Sequence, residues 1–378
     1  MAFREGLRRT RSPRRHGAED MSDLENRPEL APVRAGEELD WDRLAQYLTS
    51  HIEGLQGEME VLQFPNGSAN LTYSVRFGER RMVVRRPPLG QIAPGAHDMK
   101  REYRTLSRLW QAYPPAPRAF AFCDDHTVIG SDFLVIDYRP GVVVWGVVPP
   151  SMAAHPDVGR RLGMAVVDAL ADLHRVDPDA VGLGDLGRPD GFVRRQVAGW
   201  QKRWDLAALP DSPSTMRDVG SRLAATVPRS RYVSILHNDF KLDNCQFHPA
   251  DPDRVTSVFD WDQATLGDPL VDVGITLNYW PDPADVPGLE PILNPGTESL
   301  GLPSRAEVID HYASRTGYDV DDVRWYEAFA AWKTAVVLQQ LYARWVRGES
   351  TDPRMAERGP KVEGQLRRAQ AILDGVAP

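Results

Sequence analysis

At 378 residues, with 42% hydrophobic and 8% aromatic content, the chain is long enough to bury a large core and to divide into two lobes. A net charge of −8 sets the average field against nucleic acid and against an anionic membrane as partners. No run approaches the roughly 20 apolar residues that cross a bilayer, nothing resembles a signal peptide, and the distant cysteines Cys123 and Cys245 imply neither a disulfide framework nor a thiolate zinc site, so the expected location is the cytoplasm.

Residues 4–15 hold Arg4, Arg8, Arg9, Arg11, Arg14 and Arg15 against Glu5 alone, without apolar periodicity. Residues 1–30 are therefore expected to be a disordered, Arg-rich extension that the fold does not need. From Leu39 onward, Trp41, Leu44, Ala45 and Leu48 recur at spacings of three and four and predict a helix. Residues 60–64, 71–77 and 81–85 then read as strands separated by turn chemistry at Pro65-Asn66-Gly67 and Gly78-Glu79, an antiparallel meander. A helix from about 97 to 110 and strands at 119–123 and 133–137 complete a small α+β lobe over residues 31–140, expected to bind a nucleotide.

Beyond Gly141 the chain turns to long amphipathic segments. Leu162, Val166, Ala169, Leu170 and Leu173 make one apolar face, and Trp325, Phe329, Trp332 and Val336 another. Residues 141–378 are thus expected to form a mostly helical lobe that carries the substrate pocket. The exception is residues 232–260, where 245–247 and 255–259 read as two short strands around the loop Pro249-Ala250-Asp251-Pro252-Asp253.

Pairing those two strands brings the residue before the first, Asn244, and the residue after the second, Asp260, to one edge. An amide oxygen and a carboxylate converging there suit Mg²⁺, a hard cation that takes oxygen ligands. Upstream runs His237-Asn238-Asp239-Phe240-Lys241-Leu242-Asp243-Asn244. Its His, the Asp two residues on and the Asn five further have the spacing of a kinase catalytic loop, in which they act as brace, hydroxyl-proton acceptor and metal ligand. Asp260-Trp261-Asp262 supplies a second condition, an Asp where a protein kinase has Asp-Phe-Gly.

These residues, with Gln263-Ala264-Thr265-Leu266-Gly267-Asp268-Pro269-Leu270, with Asn66-Gly67-Ser68-Ala69-Asn70, with Val84-Arg85-Arg86-Pro87-Pro88 and with Arg101-Glu102-Tyr103, resemble the aminoglycoside phosphotransferase family. The resemblance covers roughly residues 40–345 and runs closest to the kinase-like domains fused to some acyl-CoA dehydrogenases. It implies an α+β, protein-kinase-like two-lobed fold with a small antiparallel-sheet N-lobe and a mostly helical C-lobe. It also implies an ATP- and magnesium-dependent transfer of a phosphoryl group to a hydroxyl of a small molecule.

Carried over residue by residue, the resemblance makes Asp239 the catalytic aspartate, with Lys241 neutralising the migrating group and His237 bracing the loop. Asn244 and Asp260 hold the metal. Ser68 and Asn70 belong to the turn over the phosphates, Arg85 and Glu102 form the phosphate clamp, and Ile136 and Tyr138 belong to the hinge that receives adenine. Two positions depart from the family: Arg85 stands where many kinases have lysine, and Asn238 where the family has glycine. Asn tolerates positive φ better than other residues that carry a side chain.

Asp268-Pro269 reads as a helix start. Asp272 either supports the 237–244 loop or answers the helix dipole. The Pro- and Gly-rich loop at 278–304, with Asp282, Asp285 and Glu290, is expected to wall the acceptor site, which leaves hydroxyacyl-CoA, aminoglycoside and amino-alcohol acceptors open. The alternative reading is a pseudokinase, a nucleotide-binding scaffold without turnover; retention of Asp239, Asn244 and Asp260 together favours the enzyme.

Overall fold

The computed structural model describes residues 29–65, 70–88 and 98–376. The Arg-rich head and the position of Ser68 lie outside them.

The first helix, α1 (Trp41–His51), starts at Asp40, whose carboxylate accepts the Arg43 N–H. It buries Leu44 and Leu48 against one face of a five-stranded antiparallel sheet. That sheet holds β1 (Met59–Gln63), β2 (Leu71–Phe77), β3 (Arg80–Arg86), β4 (Ala119–Cys123) and β5 (Phe133–Asp137), in the order β1-β2-β3-β5-β4. Alternation decides which side chains go where. In β3, Met82 and Val84 join Tyr73, Val75 and Phe77 on the α1 face, while Val83 and Arg85 point to the opposite face. That second face receives α2 (Met99–Leu109), whose N-cap Asp98 accepts the Arg101 N–H. The predicted strands and helices here fall within two residues of the observed bounds.

The second part opens with β6 (Val142–Val143) and α3 (Val158–His174) and centres on the 24-residue α6 (Val323–Val346). Between them come α4 (Phe192–Ala207), α5 (Thr215–Ala225), β7 (Ser234–Leu236), β8 (Cys245–His248), β9 (Asp251–Val258), β10 (Thr265–Gly267), α7 (Leu270–Asn278) and α8 (Arg305–Thr316); α9 (Gly359–Leu373) closes the chain. Trp261, Trp280, Phe240, Phe329 and Trp332 are fully buried in the core that these helices share. Strand β8 pairs with β9 in the register Cys245↔Val258, with irregularities that shorten the predicted loop to Pro249-Ala250. No helix among the described residues is long and apolar enough to cross a membrane.

The two parts meet through the β8–β9 region. The Val258 N–H donates to the Pro115 carbonyl at 2.8 Å, and Arg101 Nη1 donates to the Ala264 carbonyl at 3.3 Å. The inward face of β3 is thereby set over the end of the β8–β9 hairpin.

Candidate active site

The hairpin places its flanking residues together. The Phe259 N–H donates to the Asn244 carbonyl at 2.9 Å, just beyond the Cys245↔Val258 pair, so Asn244 and Asp260 leave the hairpin from one end. The Asn244 amide then points back at the loop. Its Nδ2 donates to the Asp239 carbonyl at 2.8 Å and to Asp239 Oδ2 at 3.0 Å, bonds that leave Oδ1 unused.

The loop at 237–244 is gripped from several sides. Its Asn238 has φ 66°, the left-handed region that Asn tolerates. The His237 and Asn238 N–H groups both donate to the buried Asp272 carboxylate, each at 2.7 Å. Asp272 is thus a support for the loop, and its carboxyl lies below the ordinary range. Burial alone would raise it, but His174 and the His237 N–H outweigh that. His237 Nε2 lies 2.7 Å from the Phe259 carbonyl, which can only accept, so Nε2 carries the proton and Nδ1 accepts the Asp239 N–H at 3.3 Å. Both ring nitrogens are thereby engaged in bracing. Thr276 Oγ1 adds a bond to the Phe240 carbonyl at 2.9 Å.

Facing the loop stands Arg85. Its Nη2 donates to Asp260 Oδ1 at 2.8 Å, and its Nη1 lies 3.3 Å from Glu102 Oε1. Burial would lower the guanidinium's pKa, but Glu102 and Asp260 together hold it above its usual value. Asp260, at φ 72°, stays ionised: burial opposes its charge, and Arg85 overcomes that. Glu102, wholly buried and farther from the shared guanidinium, is pushed up to about 7 by burial, against the pull of Arg85. Burial and then Asp260 raise Asp262 to about 8.

A cavity of about 580 Å³ opens between these groups. Asn70, Arg85, Asp239, Lys241, Asn244 and Asp260 all line it. His237 and Glu102 stand behind the wall, His237 under Asp239 and Glu102 behind Arg85. Ile136 is buried in the core opposite Val83, and Tyr138 donates its hydroxyl to Glu29 Oε1 at 2.8 Å; neither side chain reaches the cavity. Asn70 is 5% exposed, and neither polar atom of its amide finds a hydrogen-bond partner among the described residues.

Lys241 Nζ lies 3.2 Å from Asp239 Oδ2, 3.9 Å from Asp243 Oδ2 and 5.2 Å from the centre of the Tyr279 ring. Burial opposes its charge, yet the two carboxylates hold its pKa above the usual value. Asp243 also accepts from Asn294 Nδ2 at 3.2 Å, which ties this loop to the wall contributed by residues 278–304. That wall presents Ile292, Leu293, Asn294 and Thr297 to the cavity. Gly146, at φ 80°, packs so closely on the Pro295 carbonyl that a Cβ would not fit, which seats the Trp145 segment on the same wall.

The acids expected to colour the wall are turned elsewhere. Asp285 Oδ1 lies 2.7 Å from Arg305 Nη1, Asp282 accepts the Arg305 N–H at 2.6 Å, and Glu290 accepts the Gly288 N–H at 2.9 Å. The sequence reading also passed over Lys333, whose Nζ donates to the Asn238 carbonyl at 3.0 Å.

Residues 60–326 match the family described as the phosphotransferase enzyme family, APH. Acyl-CoA dehydrogenase family member 10 of Mus musculus is 30% identical over 344 residues, which cover 90% of this chain and 32% of that protein. Acyl-CoA dehydrogenase family member 11 of Gallus gallus is 31% identical over 337 residues, 86% of this chain and 42% of that protein. The chain therefore spans about a third to two-fifths of these curated relatives. A solved protein of Ralstonia eutropha JMP134, provisionally named an aminoglycoside phosphotransferase, superposes with a TM-score of 0.74 at 28% identity over 89% of this chain and 99% of its own. The GDP and kanamycin complex of an aminoglycoside 2″-phosphotransferase, 13% identical, shares the fold with a TM-score of 0.57 over 85% of this chain and 97% of its own. The architecture is the α+β, protein-kinase-like one of these neighbours, and the chain belongs to the phosphotransferase enzyme family.

Proposed function

We propose that this phosphotransferase moves the γ-phosphoryl of ATP to a hydroxyl of a small molecule and uses Mg²⁺ to do so. The observation that carries the reading is the position of Asp239. Asn244 and Lys241 hold its carboxylate on the wall of the cavity that Arg85 and Asp260 share. There it orients an incoming hydroxyl and takes its proton as the bond to phosphorus forms.

The donor set fits the cation. Asn244 Oδ1 and the Asp260 carboxylate are hard oxygen ligands, and a magnesium ion bound between protein and nucleotide needs few of them because phosphate and water complete its shell. Bound Mg-ATP supplies the transferable phosphoryl group and a cation that offsets its charge. Arg85, pre-set by Glu102, binds phosphate oxygens through its fork of donors. Lys241 places positive charge beside the hydroxyl-activating carboxylate. The amide of Asn70, which has no partner among the described residues, is available to the nucleotide. In this reading residues 31–140 bind the nucleotide and residues 141–378 the acceptor, the residues before Glu29 are dispensable while Glu29, which accepts from Tyr138, and the buried Leu30 belong to the fold, and the protein acts in the cytoplasm.

For the acceptor, the wall from residues 278–304 and α6 is largely apolar, with Ile292, Leu293, Val337, Leu338 and Leu341, while Asp282, Asp285 and Glu290 face away. That lining favours a hydroxyacyl-type acceptor over a polycationic amino sugar or an amino alcohol. Purified protein assayed with Mg-ATP against hydroxyacyl-CoAs, amino sugars and amino alcohols tests both steps. Transfer to the hydroxyacyl group is expected; ATP binding without transfer to any acceptor would leave a nucleotide-binding scaffold.

A further inference from the structure

We propose that Lys333 is a positioning residue for phosphoryl transfer: from the middle of α6 its ammonium holds the peptide between Asn238 and Asp239, and with it the carboxylate of Asp239. The inference rests on the reading of Asp239 given above.

That one peptide plane is held from both sides. Its N–H side is the Asp239 amide, which donates to His237 Nδ1 at 3.3 Å. Its C=O side is the Asn238 carbonyl, which accepts from Lys333 Nζ at 3.0 Å. The preceding peptide is held by the Asn238 N–H on Asp272, and the Asn238 side chain donates to the Gln263 carbonyl at 2.9 Å. Asn238 is therefore bound through its N–H, its side chain and its C=O, at a φ of 66° that most side-chain-bearing residues avoid. Of these grips only the one on the C=O bears directly on the plane that leads into Asp239. It is also the one supplied by a cation.

Lys333 has little else to do. It lies on the apolar helix between Trp332 and Thr334, and its Nζ faces the Trp200 ring at 5.4 Å, a site that a neutral residue would fill without desolvating a charge. Burial indeed pulls its pKa below the usual lysine value, and Asp239 and Asp272 pull it back. An ammonium kept in such a place beside a loop carbonyl and a functional carboxylate serves geometry and local charge together. It lies beyond residue 326, where the match to the family ends, so the segment that defines the family does not contain it.

The test uses the full chain with Mg-ATP and the acceptor found in the panel. Lys333→Met keeps the stem and removes the charge; Lys333→Ala leaves room for a small amine. We expect kcat to fall about 10²-fold in both, the scale of a misplacement near 1 Å, while KM for Mg-ATP stays within about twofold. Propylammonium should restore kcat of Lys333→Ala, and 1-propanol, of the same length but uncharged, should not. Unchanged kcat in folded Lys333→Met, or equal rescue by 1-propanol, overturns the inference and leaves the function standing. Failure of both variants to fold also overturns it, by making the lysine a structural residue. Absence of transfer by the wild type overturns the reading of Asp239 and this inference together.

Discussion

The guanidinium of Arg85 stands 2.8 Å from the carboxylate of Asp260, a contact between residues 175 positions apart that joins the sheet to the end of the β8–β9 hairpin. In the proposed arrangement Asp260 has two tasks, partner of a buried cation and ligand for magnesium. Asp260→Ala is therefore expected to weaken magnesium-dependent nucleotide binding and transfer together. Titration of ATP with and without magnesium checks this, and equal binding by wild type and variant would remove Asp260 from the metal site.

Asp239→Asn should behave differently. It keeps the size of the side chain but loses the charge that accepts a proton, so turnover should drop by about 10²–10⁴-fold. Mg-ATP affinity should hardly change, because Asp239 is not a principal metal ligand in the proposed arrangement. Steady-state rates and a binding isotherm on the same preparation separate the two effects.

Arg85 and Arg86 offer a contrast between neighbours. Arg85→Ala should weaken Mg-ATP binding. Arg86, on the α1 face of the strand, is buried with Nη1 on the Ile129 carbonyl at 3.1 Å, so Arg86→Ala should leave nucleotide affinity alone but cost about 2 kcal/mol of stability. Urea unfolding and ATP titration of the pair measure this; loss of nucleotide affinity in Arg86→Ala would place the wrong arginine in the site.

Asp272 carries a pH prediction. Its folded pKa lies below the roughly 3.9 of an unfolded aspartate, so its contribution is complete above that value and is lost as the pH falls through the folded pKa. Asp272→Asn should destabilise the protein at neutral pH by about 1–3 kcal/mol, since an amide cannot accept at both positions. Its stability should also fall less steeply in acid than that of the wild type. Urea midpoints at pH 7 and at successive lower values give both quantities.

Much of this architecture was legible because it obeys short periods. The meander follows from alternation in 71–77 and 80–86, and the meeting of Asn244 and Asp260 from the hairpin pairing alone. Other parts were set by partners far along the chain. Asp285 reads as a wall acid until Arg305 and Arg368 are seen to claim it. Lys333 interrupts an apolar face and is explained only once Asn238 lies beneath it. Helices α4 and α9 carry Arg and Lys among sparse apolar positions, and their burial against α6 outweighs the weak local pattern.

Arg368 is 1% exposed and donates to Glu327 Oε1 at 2.7 Å, and Arg305 lies 3.7 Å from the same oxygen. The last helix is thus stapled to the helix that bears Lys333 and, through Asp285, to the loop that walls the cavity. A fragment cut at residue 326, where the family match ends, would lose Glu327, Lys333 and Arg368 at one stroke and leave the Arg305–Asp285 pair without the buried Glu327 and Arg368 that complete its network. The smallest unit able to fold and turn over must therefore extend through α9, some way past the boundary that kinship alone would draw.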